Sequence, residues 1–419
     1  MPTLNQINRT ENKISIIGKL GMGEFHKLLG VIYETTQRRG YSEIIMDFSE
    51  CEAAFNGPML CLCSQFLTLT ENGISIDLVL PKNDKLCKIF LNSNWPYLIQ
   101  PNKYNKSAFR GFTQVPATIF ADQREQSNSV EKIINAILCS MSGLKRGDLA
   151  AIEWSINEIT DNVLVHSNSN HGGFVQLTTY KSPNPRIEYV VCDSGIGIPA
   201  SLKPAYPHIE SDIDALDQAI REGVTNGLGM GNGLFGSFEV SRISGGYFQI
   251  HSGNAKLSYD QKAKLLHMRN EPVPYTGTLI VACIECSKTG VLEEALKFGG
   301  IKHTPIDMIE LKYEMESDDQ ILFALSHETL SFGTRLAGVP IRNKLLNLHK
   351  MCNQKIISID FTSIPVLSSS FADEVFGKIF LEIGADEFRK CFRLYNMNDT
   401  VKGLVFRALN QRGYPSPSL

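Results

Sequence analysis

The sequence predicts a multidomain chain of mixed α/β and α+β class, with a central sandwich of helices and sheet set between two smaller α/β domains. Three observations carry this. Short apolar strands alternate with helical stretches over residues 13–101 and again from residue 320 to the end. The middle of the chain instead reads as helices first and strands afterwards, the order of an α+β layer pair. Finally, IIMDFSECEAAFNG from Ile44 and IISIDFTSIPVLSSS from Ile356 both run apolar strand, Asp-Phe, then nine residues to the next helix start, as a duplicated fold would. At ~100–200 residues per domain, a chain of 419 residues also exceeds what one core absorbs.

In chain order, ISIIG is a strand, Glu24–Gln37 a helix, EIIMDFS a strand, Pro58–Leu69 a helix, SIDLVLP a strand and Asp84–Leu91 a helix, which together make a first domain over residues 1–101. Residues 102–128 are polar and irregular and read as a linker or arm. Helical periodicity returns at Ser129–Met141 and Asp148–Ser167. The strands FVQLTTY, IEYVVCD, YFQIHS and TLIVACIE follow, so residues 129–305 form the central domain. Residues 306–419 return to the first pattern, with QILFALS, a helix at Ala337–His349, KIISIDFT, a helix at Phe371–Ile383, FRLYNM and a helix at Val401–Ala408. Buried parallel strands commonly end in Asp, so the shared Asp-Phe also fits two unrelated layers.

Composition narrows the function classes. With 41 Lys and Arg against 44 Asp and Glu, the net charge of −3 leaves no basic surplus to attract phosphate backbones, so nucleic acid is not the expected partner. An apolar content of 43%, a charged content of 20% and a mean hydropathy of −0.09 are those of an ordinary globular protein. No run of about 18 apolar residues and no leader-like apolar segment occurs, which points to the cytoplasm and away from the membrane. The ten cysteines lie mostly in apolar runs and read as reduced core residues. Cys283 and Cys286 have metal-ligand spacing, but a strand would point them to opposite faces and no second pair completes a site.

Three stretches carry chemistry. In AAIEWSINEITDNVLVHSNS, helical spacing puts Glu158, Asn162 and His166 on one face at four-residue intervals, a carboxylate, an amide and an imidazole in line. Taken alone, this is also what a solvated helix face looks like. In VVCDSGIGIP a strand ends in Asp193, whose carboxylate suits an exocyclic amine, and Gly195 and Gly197 let backbone approach a flat ring. A strand followed by an ordinary Asp-Ser-Gly turn has the same residues. In TNGLGMGNGLFGSFEV, Gly227, Gly229, Gly231, Gly233 and Gly236 run into a helix, so that backbone N–H groups and a helix N-terminus converge on phosphate oxygens. The embedded Gly-x-Gly-x-x-Gly lacks the preceding strand of a Rossmann unit.

In this order, and closed by Thr276-Gly277-Thr278 before LIVACIE, these stretches resemble the ATP-binding module of the GHKL superfamily, shared by DNA gyrase, histidine kinases, MutL and the anti-sigma-factor serine kinases. The resemblance covers Ser129–Ser287 and implies a Bergerat-type sandwich holding ATP and Mg2+ under a mobile lid. It implies Asn162 as the magnesium ligand and Asp193 as the partner of the adenine amine. Gly195 and Gly197 would lie beneath the base, Gly227, Gly229, Gly231 and Gly233 in the lid, and Thr278 near the base. Glu158 takes the place of the general base. His166 fits either a neutral structural histidine or a phosphate contact.

The flanks resemble STAS domains. The C-terminal one is similar to a STAS-like family of unknown function, through GTRLAG and DFTSIPVLSSSFADEVF. Ser368, Ser369 and Ser370 stand where a STAS antagonist carries its phosphoserine, with Ser369 and Ser370 the possible phosphoacceptors. Asp373 and Glu374 would oppose a phosphate there, and the serines equally suit helix capping. The N-terminal copy has Phe55-Asn56-Gly57-Pro58 at that position and no hydroxyl, so it would bind or dimerise. With no histidine between His26 and His166, the phosphoaccepting hairpin of a sensor kinase is missing. The expected function is therefore a Mg-ATP-dependent ATPase working as a nucleotide-gated regulatory switch, with protein partners or self-association through the STAS-like domains. A serine kinase of the anti-sigma-factor type and a non-enzymatic nucleotide sensor are the alternatives.

Overall fold

A computed structural model describes residues 5–107, 113–181, 183–227, 231–314, 319–329, 331–352 and 355–413. The chain divides into two compact units, one of residues 1–133 and 154–303 and one of residues 134–153 and 304–419.

The first unit opens with a hairpin, β1 (Gln6–Thr10) and β2 (Lys13–Leu20), turned at Glu11 with a positive φ. Alternation in KISIIGKL buries Ile14, Ile16 and Leu20 on one face. Helix α1 (Phe25–Tyr33), β3 (Glu43–Asp47), β4 (Cys51–Ala54), α2 (Asn56–Glu71), β5 (Ser75–Val79), α3 (Asp84–Asn92) and α4 (Trp95–Ile99) follow. Strands β2, β3 and β5 are parallel neighbours. Asn83 caps α3 by accepting from the N–H groups of Lys85 and Leu86.

Within residues read as an irregular arm, β6 (Gln114–Phe120) is instead the edge strand of the central sheet. Pro116 interrupts the apolar alternation of QVPATIF. It lacks an N–H, and the pairing with the next strand shifts register between Val115 and Thr118 while the Ala117 N–H turns to Ser93. Then come α5 (Gln123–Ser140), α6 (Arg146–His166), β7 (Gly173–Tyr180), β8 (Arg186–Asp193), α7 (Gly197–Leu202), α8 (Asp212–Ala219), α9 (Gly233–Ser244), β9 (Phe248–Asp260) and β10 (Leu265–Glu285). The sheet order is β6-β7-β8-β10-β9, antiparallel throughout. A short hairpin, β11 (Lys297–Phe298) and β12 (Ile301–Lys302), closes this unit.

Period-2 alternation sends Phe174, Val190, Cys192, Leu279 and Val281 to one face of the central sheet, where they share a core with Leu60, Cys61, Phe66 and Trp95 of the N-terminal layer. Polar bonds pin the same layers: Trp95 Nε1 donates to Gln176 Oε1 at 2.9 Å and Asn56 Nδ2 to Thr178 Oγ1 at 2.6 Å. Asn56, at the start of α2, is therefore buried against the sheet. Tyr189 on the opposite face meets α6 through its hydroxyl, 2.7 Å from Ser155 Oγ.

The second unit contains β13 (Gln320–Ala324), α10 (Leu325–Glu328), α11 (Arg335–Met351), β14 (Ile356–Asp360), a helical run from α12 (Ser369–Ala372) to α13 (Lys378–Ile383), α14 (Ala385–Cys391), β15 (Phe392–Tyr395) and α15 (Asp399–Asn410). Its three strands are parallel in the order β13-β14-β15. Fully buried Lys344 on α11 donates to Asn135 Oδ1 at 2.6 Å and pairs with Glu328 at 2.5 Å. The Asp-Phe repeat has one local geometry in both copies: Asp47 accepts from the Ser49 N–H and Asp360 from the Thr362 N–H, each at 2.9 Å. A helix begins nine residues beyond each Asp, at Asn56 and at Ser369, in both copies two residues before the predicted starts at Pro58 and Phe371. Among the described residues no helix is long and apolar enough to cross a membrane.

Candidate nucleotide-type pocket

A cavity of about 400 Å3 lies in the first unit between α6, the ends of β8 and β10, and the segment leading into α9. Because α6 is regular across residues 158–166, Glu158, Asn162 and His166 all line it, as the four-residue spacing requires. Asp193, Gly197, Thr278, Gly231 and Gly233 join them from four other segments.

Asp193 is the most constrained group. It is 2% exposed, its Oδ1 accepts from the Gly195 N–H at 2.7 Å and its Oδ2 from the Thr278 N–H at 3.2 Å. Burial nevertheless outweighs both bonds and pushes its carboxyl up to about 7. Val191 and Ile280, which alternate away from the shared core, give this end of the cavity its apolar walls.

Glu158 and Asn162 have no hydrogen bonds to their side chains among the described residues, so both can serve a ligand. Burial, with Asp161 adding to it, raises the Glu158 carboxyl above its ordinary value. His166 Nδ1 lies 3.1 Å from Asn226 Nδ2, which donates to it. Its proton then belongs on Nε2, and burial lowers its pKa, so the ring is neutral at physiological pH.

The glycines divide by what they face. A Cβ on Gly195 would collide with the Ser167 carbonyl, whose oxygen accepts from the Ile196 N–H. Gly195 is thus fixed by the chain leaving α6 and does not line the cavity. Gly197 has φ +77°, and its missing Cβ would lie 2.6 Å from Ser252 Oγ and 2.8 Å from the Gly277 carbonyl. Gly233 abuts Glu158 in the same way, with no room for a Cβ beside the carboxylate. Gly227 lies outside the cavity lining, and Gly229 falls outside the described residues.

Several lining or supporting groups escaped the sequence reading. Ser252 Oγ donates to the Gly277 carbonyl at 2.8 Å and accepts from the Ile198 N–H at 2.9 Å, tying the turn after β8 to β9 and β10. Trp154, Phe298 and His303 form an aromatic wall, with Trp154 ring centroids 5.6 Å from Phe298 and 6.0 Å from His303. Trp154 had a signal, one helical turn before Glu158. Ser252, Phe298 and His303 had none, since only distant pairing brings them here. Among the described lining residues there is no Lys or Arg, while Glu158, Asp161 and Asp193 all face the cavity.

In the second unit, Ser368 is a helix cap, its Oγ accepting from the Phe371 N–H at 3.0 Å and lying 3.0 Å from Ser370 Oγ. Ser369 is exposed. Asp373 and Glu374, read as opposing a phosphate, are already paired: Asp373 with Arg335 and Arg412, and Glu374 with Arg335, Arg342 and Lys378. Cys283 and Cys286 are buried free thiols.

Residues 337–402 match the STAS-like domain of unknown function (DUF4325). No curated protein matches the chain.

Proposed function

We propose that the chain is a GHKL-type, Mg-ATP-binding ATPase that works as a nucleotide-gated regulatory switch, its STAS-like domains serving as the surfaces that respond. One observation carries the reading: a buried carboxylate in an apolar end and an unpaired carboxylate-amide pair beside a glycine turn share one cavity. Asp193 would accept from the adenine amine, and Asn162 would hold a magnesium ion with its free side-chain oxygen. A lining with three carboxylates and no described cation repels a bare triphosphate, so a divalent ion is needed to bring one in. The ion would neutralise phosphate charge during transfer. Glu158, raised by burial, would orient the attacking water and take its proton. Neutral His166, held by Asn226, would keep the turn in register without adding charge.

A second reading, a serine kinase of the anti-sigma-factor type, is favoured by exposed Ser369 at a helix start whose acidic residues are already neutralised by Arg335 and Arg412. Incubation with magnesium and γ-labelled ATP, with free phosphate separated from phosphoprotein, tests both. A switch releases free phosphate. Asn162→Ala then loses magnesium-dependent turnover by 100-fold or more with its circular dichroism unchanged, and Ser368, Ser369 and Ser370 all changed to Ala hydrolyse ATP at a near-normal rate. Stoichiometric label on Ser369 or Ser370, absent from Glu158→Gln, establishes the kinase instead. Nucleotide binding without turnover marks a sensor, and no magnesium-dependent binding at all sinks the site.

A further inference from the structure

The last turn of α11 brings His349 to the face of α14 that carries Glu387 and Cys391, a spacing of four that puts both on one side of that helix. The three ligand atoms lie within 4.8 Å of one another. His349 Nε2 is 3.7 Å from Glu387 Oε1, and Cys391 Sγ is 3.2 Å from the same oxygen. The first separation is too long for a hydrogen bond, and His349 Nδ1 is buried with no partner, so the imidazole has no hydrogen bond on either nitrogen among the described residues. Its ring is nonetheless held in place against Phe392, centroids 5.7 Å apart, with Phe388 stacked on Phe392 at 5.2 Å.

An ordered, half-buried imidazole without hydrogen bonds is an unusual thing to keep beside a thiol and a carboxylate. Two ligands about 2.0–2.3 Å from a tetrahedral ion are themselves separated by roughly 3.3–3.6 Å, close to the 3.7 and 3.2 Å that separate Glu387 from His349 and from Cys391. Imidazole, thiolate and carboxylate together select zinc over magnesium or calcium. The geometry points to a zinc site formed by His349, Glu387 and Cys391 within the STAS-like domain, with solvent as fourth ligand. Glu387, whose side chain is 32% exposed, gives that solvent its access. On coordination the Cys391 thiol releases its proton to solvent and the sulfur binds the ion as thiolate. The ion would clamp α14 to α11. This inference does not depend on the nucleotide reading.

The metal-free 419-residue chain titrated with Co2+ should bind one equivalent and develop a thiolate-to-cobalt charge-transfer band, discharged by one equivalent of Zn2+. Cys391→Ser should lose the band, and His349→Gln and Glu387→Gln should each weaken binding tenfold or more. Zinc should raise the unfolding temperature of the wild type by more than that of Glu387→Gln at the same concentration, and the partly exposed side chain of Glu387 makes it the variant to rely on if Cys391→Ser does not fold. Asn162→Ala should keep the band, which separates this test from that of the nucleotide pocket. No band at one equivalent, a band unchanged in Cys391→Ser or Glu387→Gln, or one abolished by Cys283→Ser would overturn the assignment.

Discussion

Asp193 is held in the folded chain with its pKa raised from 3.8 to about 7 by burial, and the sign of that shift has two consequences. The folded state binds this proton more tightly than the unfolded state. The stability it contributes is thus present below pH 4 and lost as pH rises from 4 to 7. A nucleotide whose amine donates to Asp193 needs the carboxylate, so its affinity should fall about tenfold per pH unit below 7 while inorganic triphosphate changes little. Calorimetric titration of both ligands between pH 5.5 and 8 checks this, and parallel curves would remove Asp193 from base recognition. His26 and His251 oppose the stability trend. Nε2 of His26 and Nδ1 of His251 are 2.8 Å apart, and both pKa values are lowered chiefly by burial. Lys256 and Arg269 repel a proton there and Glu271 attracts one. Their contribution is lost as pH falls below 6.5, so the stability of the first unit should decline on the acid side.

At the scale of the element, two segments make different demands. Trp95 fills the interface between α4 and the central sheet and donates to Gln176 Oε1, while Gln176 Nε2 is buried without a partner among the described residues. Trp95→Phe would leave Gln176 wholly unpaired and should cost about 1–3 kcal/mol, read from urea denaturation. Trp95→Phe with Gln176→Leu should recover much of that loss. Under the proposed nucleotide reading, the segment from Gly223 to Gly236 would gain contacts to the phosphates. Limited proteolysis within it should slow at least fivefold with magnesium and a non-hydrolysable ATP analogue. An equal rate with and without the analogue refutes lid closure.

For the whole molecule, the decisive feature is the core shared by the N-terminal layer and the sheet that carries the pocket. Removing residues 1–101 would expose Phe174, Val190, Cys192, Leu279 and Val281 together, an apolar face with no replacement cover. That truncation should aggregate, or unfold well below the wild-type temperature, as followed by light scattering on heating. A truncation as soluble and stable as the full chain would mean the N-terminal layer is an independent module.

What the sequence by itself determined is local. The spacing of Glu158, Asn162 and His166 needs only a regular helix to put them on one face, and the Asp-Phe repeat needs only a strand end and a turn. Those signals lie within about ten residues of one another, where backbone periodicity decides the outcome. Tertiary structure decided the rest. It made β6 an edge strand around a proline, brought Ser252, Phe298 and His303 to the pocket, and assigned Gly195 to the Ser167 carbonyl. It also set His26 against His251, 225 positions apart. Each of these depends on which surfaces meet once apolar faces are buried, and a contact between distant segments leaves no period in the sequence that would announce it.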